Sequence, residues 1–146
     1  MPIFAQNGPV PIRESSGESA LMGSWDVEIT LRNCTDGKRI GTLQVVNIFS
    51  AGGSLMESGS RTAGAIEGPG YGTWRPVGEE RYSTVLRYYR FHRDGTVAEL
   101  QRITRSLQLS ADGSRFSGTA LLEAFDSHNR LVLSRCATEM AERLKD

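Results

Sequence analysis

Arg87, Tyr89, Glu99 and Gln101 fall at alternate positions on either side of an Asp94-Gly95 turn, and Arg105 and Glu139 follow further along the chain. Side chains two apart on a strand share a face, so a hairpin centred on that turn would gather them. In that register Phe91 faces Val97, Tyr89 faces Glu99, Arg87 faces Gln101, Val85 faces Ile103 and Ser83 faces Arg105. The set continues into Leu107 and Leu109, which marks its face as internal, with Arg90, Arg102, Thr104, Ser106 and Gln108 left to solvent. Donors and an acceptor at cross-strand spacing can hold one polar ligand group. Glu99, Glu139 and Tyr89 are the candidates for moving protons if the protein is an enzyme, because a carboxyl in an apolar cavity titrates nearer neutrality.

Other chemistries fit poorly. His92 and His128 sit in turns without metal-ligand spacing relative to Cys34 and Cys136, so no metal site is expected. A Ser, His and Asp triad would need a nucleophile elbow, and no Gly-x-Ser-x-Gly stands in the chain. Gly68-Pro69-Gly70-Tyr71-Gly72 is glycine-rich, but no helix follows to supply amides to a phosphate. Nothing calls for a cofactor.

The chain has 146 residues, enough for one domain with one core. Its 17 basic and 17 acidic residues cancel, and the arginines are scattered, which argues against nucleic-acid binding. No apolar run approaches the roughly 20 residues of a membrane-spanning helix. Residues 1–20 hold three of the five prolines and a Glu14-Ser15-Ser16-Gly17-Glu18-Ser19 stretch, and are expected to form an extended or mobile arm before a single domain at 21–146. The N-terminus lacks the basic start and apolar run of a signal peptide. Cytoplasmic residence is the expectation, or secretion or a periplasmic location if a leader precedes this sequence.

Eight strand segments are predicted, at 24–32, 42–49, 54–59, 71–75, 82–91, 96–109, 115–126 and 131–143. Turn signals separate them: Asp36-Gly37, Gly52-Gly53, Val77-Gly78, Asp94-Gly95, Asp112-Gly113 and Asn129. Sequential hairpins imply an antiparallel meander, and eight strands can close into an all-β up-and-down barrel without exposed edges. The Gly-rich stretch Ser60–Pro69 reads as a loop over one barrel mouth.

In the first strand Trp25, Val27, Ile29 and Leu31 alternate with Asp26, Glu28, Thr30 and Arg32, so the apolar set is internal. If first and last strands close the barrel with Cys34 opposite Cys136, Arg143 falls opposite Val27, beside Trp25. That register turns Leu131, Leu133, Arg135, Ala137, Glu139 and Ala141 inward. It leaves both cysteines outside, with Cα atoms about 4.4–6.8 Å apart. A disulfide there would be unusual in the cytosol and expected in an oxidising compartment.

Gly23-Ser24-Trp25 opening the first strand, with a late arginine packing across the tryptophan, resembles the signature of lipocalin-like (calycin) barrels. Gly72-Thr73-Trp74, the 91–96 stretch FHRDGT and the 136–139 stretch CATE are similar to a family of uncharacterised bacterial calycin-like proteins. The resemblance spans about residues 22–144 and implies a barrel plugged at the Trp25 end by cation–π stacking, with function at the other end.

The inferred lumen carries Asn47, Glu57, Arg87, Tyr89, Glu99, Gln101, Arg105 and Glu139. Either Arg87, Glu99 and Arg105 neutralise one another as a buried network or at a wet mouth, or they orient the polar end of a ligand. In the second case Phe49, Trp74, Val85, Ile103 and Leu122 enclose its apolar body. The expected function is binding of a small, mostly apolar molecule with a polar or anionic group. The alternative is a cofactor-independent isomerase or cyclase acting on a small hydrophobic substrate in the same cavity. A barrel with a packed interior that associates through its outer surface, as a homodimer, is a further reading.

Overall fold

The computed structural model describes residues 20–59 and 68–145. Most of the expected N-terminal arm and most of the Ser60–Pro69 loop therefore lie outside the described residues. Eight antiparallel strands follow in chain order: β1 (Gly23–Arg32), β2 (Arg39–Ser50), β3 (Ser54–Gly59), β4 (Gly70–Gly78), β5 (Arg81–Phe91), β6 (Val97–Leu109), β7 (Arg115–Asp126) and β8 (Leu131–Arg143). Each pairs with its neighbour, and β1 pairs with β8 to close the barrel. Among the described residues every strand thus has a neighbour on both sides, which is how an all-β chain of this size limits edge-to-edge association. Among the described residues no helix is long and apolar enough to cross a membrane.

The turns use residues that tolerate left-handed backbone: Gly37, Gly52, Gly53, Gly95, Gly113 and Asn129 all have positive φ. One turn differs from expectation. The chain reverses between β4 and β5 at Glu79 and Glu80 rather than at Val77-Gly78, and Glu80 takes the positive φ.

One end of the barrel is shut by the expected plug. Trp25 is fully buried and its indole Nε1 donates to the Leu21 carbonyl at 2.9 Å. The Arg143 guanidinium lies 4.1 Å from the Trp25 ring centroid and donates to the Met22 and Ala20 carbonyls at 2.6 Å each. Gly23, at φ 119°, lets the backbone turn under this cation, because a Cβ there would sit 2.9 Å from Arg143 Nη1. Phe116, Phe49, Trp74 and Tyr82 continue the aromatic packing above the plug.

The closing register differs from the expected one by two residues: Arg143 lies directly opposite Trp25, and Cys136 opposite Arg32. An even shift leaves the β8 side chains from Leu133 onward on their predicted face, whereas a bulge opposite Ala124/Phe125 pairs Leu131 with outward Phe125 and takes it off the inner face. Ala137, Glu139 and Ala141 are accordingly buried, whereas Leu131 and Leu133, nearer the other end, are exposed. Cys34, just past β1, bonds to Cys136 with a Cα separation of 5.0 Å, within the expected range. The disulfide staples the seam where β1 and β8 meet.

The β5–β6 hairpin holds the main departure. A bulge between Arg90 and Phe91 shifts the ladder by one residue, so Tyr88 rather than Arg87 lies opposite Gln101, and Thr84 rather than Ser83 opposite Arg105. Because side chains alternate, a shift of one residue exchanges the two faces of β5. Tyr82, Thr84, Leu86 and Tyr88 are buried, while Arg87 and Tyr89 are exposed, Tyr89 at 49%. β6 keeps its predicted facing, with Ile103, Arg105, Leu107 and Leu109 all internal.

Candidate functional site

Five strands meet at a polar centre inside the barrel. Arg105 on β6 has no exposed side-chain surface and spreads its guanidinium across the lumen. Its Nε donates to Thr84 Oγ1 on β5 at 2.9 Å. Its Nη1 donates to Asn47 Oδ1 on β2 and to Glu139 Oε1 on β8, both at 2.8 Å, and stands 3.7 Å from Glu57 Oε2 on β3. Glu57 accepts in turn from Asn47 Nδ2 at 2.8 Å and from the hydroxyl of Tyr88 on β5. Arg105 Nη2 is buried and has no hydrogen-bond partner among the described residues.

Paired in this way, the two carboxylates and the arginine can persist out of water. Burial pushes the Glu139 carboxyl above its ordinary range, opposed by the adjacent Arg105 charge and reinforced by Glu57. A group so placed holds its proton closer to neutrality than a surface glutamate does.

The packing around this centre differs between the two ends and around the barrel, since Leu86, Tyr88 and Ala124, on the side away from the plug, are also at most 1% exposed. On the plug side, inward side chains such as Trp25, Val27, Phe49, Tyr82 and Phe116 are at most 2% exposed. On the other side, Ile29, Ile103 and Ala137 keep 7–8%, and Leu31, Leu43, Ala120 and Leu122 are only partly buried although they belong to the same inner face. The inward apolar side chains that keep some solvent-accessible surface thus lie on the side of Arg105 away from the plug. At the rim, Glu99 accepts from Arg90 Nη1 at 3.2 Å and from Gln101 Nε2 at 3.1 Å.

The expected site residues divide accordingly. Arg105 and Glu139 lie together at the buried centre, Glu99 and Gln101 together at the rim, and Phe49 and Trp74 in the aromatic layer above the plug. The Arg105 guanidinium lies 5.9 Å from the Phe49 ring centroid, so that layer abuts the polar centre. Arg87 and Tyr89 are corrected: they line a shallow groove on the outer face with Tyr71 and Phe91 and contribute nothing to the lumen. Tyr89 cannot move protons inside the barrel from there. Val85, expected to enclose an apolar body, shares that outward face.

Inspection of the sequence alone missed Tyr88, Thr84 and Arg90. A readable signal for Tyr88 existed in β4, where Gly70 stands opposite it; a Cβ on Gly70 would lie 2.5 Å from the Tyr88 ring. A glycine on an inward position makes room for a large side chain across the pair.

Among the described residues no group of three or more His, Cys, Asp or Glu is arranged to hold a metal ion. The closed eight-stranded antiparallel barrel with its Trp25–Arg143 plug is consistent with a calycin-like fold. No model of a known protein family matches the chain, and no curated protein is significantly similar to it.

Proposed function

We propose that the barrel binds one small, mostly apolar molecule, which enters at the end opposite the plug and directs a polar group to Arg105. The observation that carries this reading is the buried Nη2 of Arg105, without a partner among the described residues, with partly exposed apolar side chains on the side away from the plug. A buried charged donor without a partner is costly, and a ligand oxygen would satisfy it. Ile29, Leu31, Leu43, Ile103 and Leu122 would cover the apolar body, and the Arg90, Glu99 and Gln101 cluster would form the polar rim. Native mass spectrometry of freshly purified protein tests it: a co-purifying small molecule, or stoichiometric uptake of an apolar probe lost when Leu43 and Leu122 are replaced by glutamate, is the expected result. Uptake unchanged by those rim-side charges would refute binding in the lumen.

A second reading, a cofactor-independent isomerase or cyclase in the same lumen, draws on the raised Glu139 carboxyl and on the Tyr88 hydroxyl held by Glu57. Here Glu139 would exchange the proton and Tyr88 would take the place assigned to Tyr89. Conversion of a bound hydrophobic substrate by the wild type, abolished in Glu139→Gln with binding retained, would favour it. The Cys34–Cys136 bond supports residence in an oxidising compartment.

A further inference from the structure

We infer that the group delivered to Arg105 is a neutral hydrogen-bond acceptor, a ketone, aldehyde or ester carbonyl, and not an anion. The inference rests on the proposed binding in the lumen and narrows it. Among the described residues Arg105 is the one cation within the hydrogen-bonded centre, Arg135 standing nearer the other end opposite Leu122, and two carboxylates already face Arg105, Glu139 at 2.8 Å and Glu57 at 3.7 Å. With both ionised the centre carries a net negative charge, and with one protonated it is neutral. In neither state does the centre itself keep positive charge for a carboxylate or phosphate delivered to Arg105. An anion there would add repulsion in a site whose low dielectric magnifies it.

The free hydrogen-bonding capacity tells the opposite story from the charge. Nε and Nη1 are fully engaged with Thr84, Asn47 and Glu139, while both N–H groups of Nη2 remain without a partner among the described residues. A carbonyl oxygen accepts two such hydrogen bonds and brings no charge. It would satisfy the donor and leave the balance between Arg105, Glu57 and Glu139 intact.

The span of the lumen sets the length of the remainder. From Arg105 to Gln101 on the same inner face of β6 is about 13 Å of strand, or about 10 Å along the axis at a typical barrel tilt. The inner face over this span is mostly apolar, with Ile103 on β6, Leu86 on β5, Leu122 on β7, Ala137 on β8 and Ile29 on β1, and it also carries Tyr88 opposite Gln101 and Arg135 opposite Leu122. A chain of about eight carbons with a carbonyl near one end would match this distance from the guanidinium to the rim.

The test compares 2-octanone, octanoate and n-octane at neutral pH with the oxidised full-length protein, by competition and by native mass spectrometry. The expected result is that the ketone binds at least about tenfold tighter than both others, the factor for a hydrogen bond to a charged donor. The bound carbonyl stretch, read with carbonyl-labelled ketone, should fall below its value in hexane. Arg105→Lys keeps a cation beside Glu139 but withdraws the second nitrogen, so it should lose the preference for ketone over octane. Should that variant fail to fold, the three-probe comparison and the carbonyl stretch on the wild type decide alone. Octanoate binding as tightly as the ketone, or octane doing so, would overturn the carbonyl assignment and leave binding in the lumen standing. Failure of all three probes to bind would overturn both.

Discussion

Trp25→Ala should destabilise the protein by about 3–5 kcal/mol, as removal of a fully buried large aromatic does. A tryptophan buries about 200 Å² on folding, which at about 25 cal/mol per Å² is about 5 kcal/mol before allowance for a compact unfolded state. The Nε1 hydrogen bond to Leu21 adds about 1 kcal/mol, and the stacked Arg143 a comparable amount. These contributions share one residue and do not add in full, because Arg143 retains its bonds to Met22 and Ala20. Trp25→Phe separates them: it keeps most of the ring but loses the bond to Leu21, and should cost about 1–2 kcal/mol. Guanidinium chloride melts of the oxidised protein, followed by the fluorescence of Trp74 and by far-UV circular dichroism, give both values. A loss below about 1 kcal/mol for Trp25→Ala would show that the plug does not hold the barrel shut, and the burial argument would fail.

Replacing Cys34 and Cys136 with serine, or reducing the bond, should cost about 2–4 kcal/mol, because the bridge closes a loop across 102 positions of the sequence; an unchanged denaturation midpoint would refute this. Glu139 binds its proton more tightly folded than unfolded, so its contribution to stability falls as pH rises from about 4.5 through the raised folded value and then levels off. Glu139→Gln should therefore flatten the stability profile of melts taken between pH 4 and 8, and an equally steep profile in the variant would assign the slope elsewhere. Gly70→Ala should cost about 1–3 kcal/mol by forcing a methyl against the Tyr88 ring and drawing its hydroxyl from Glu57. Thermal melts indistinguishable from wild type would show that the ring has room to move.

The elements, their order and most of their facing were legible in the residues alone. Apolar alternation from Trp25 to Leu31 and from Ile103 to Leu109 is unambiguous, since the opposite positions carry charges and hydroxyls, and the turn glycines need their φ whatever the fold around them. The Trp25–Arg143 pairing survived a register wrong by two residues because facing depends only on whether the offset is odd or even. β5 offered no such guide. Tyr82, Leu86 and Tyr88 alternate with Val85 and Tyr89, so both faces carry apolar or aromatic groups, and one bulged residue at Arg90/Phe91 decides between them. That choice belongs to the tertiary structure: Gly70 leaves space inside for the Tyr88 ring, Gly72 lets the β5 backbone at Val85 approach closely, and Glu57 offers Tyr88 a buried acceptor. The polar centre was likewise legible only as a set of inward residues. Its pairing of Arg105 with Glu139, Asn47, Glu57 and Thr84 arises because closure brings five strands, distant in sequence, to one level of the barrel, and because each buried charge requires a partner there.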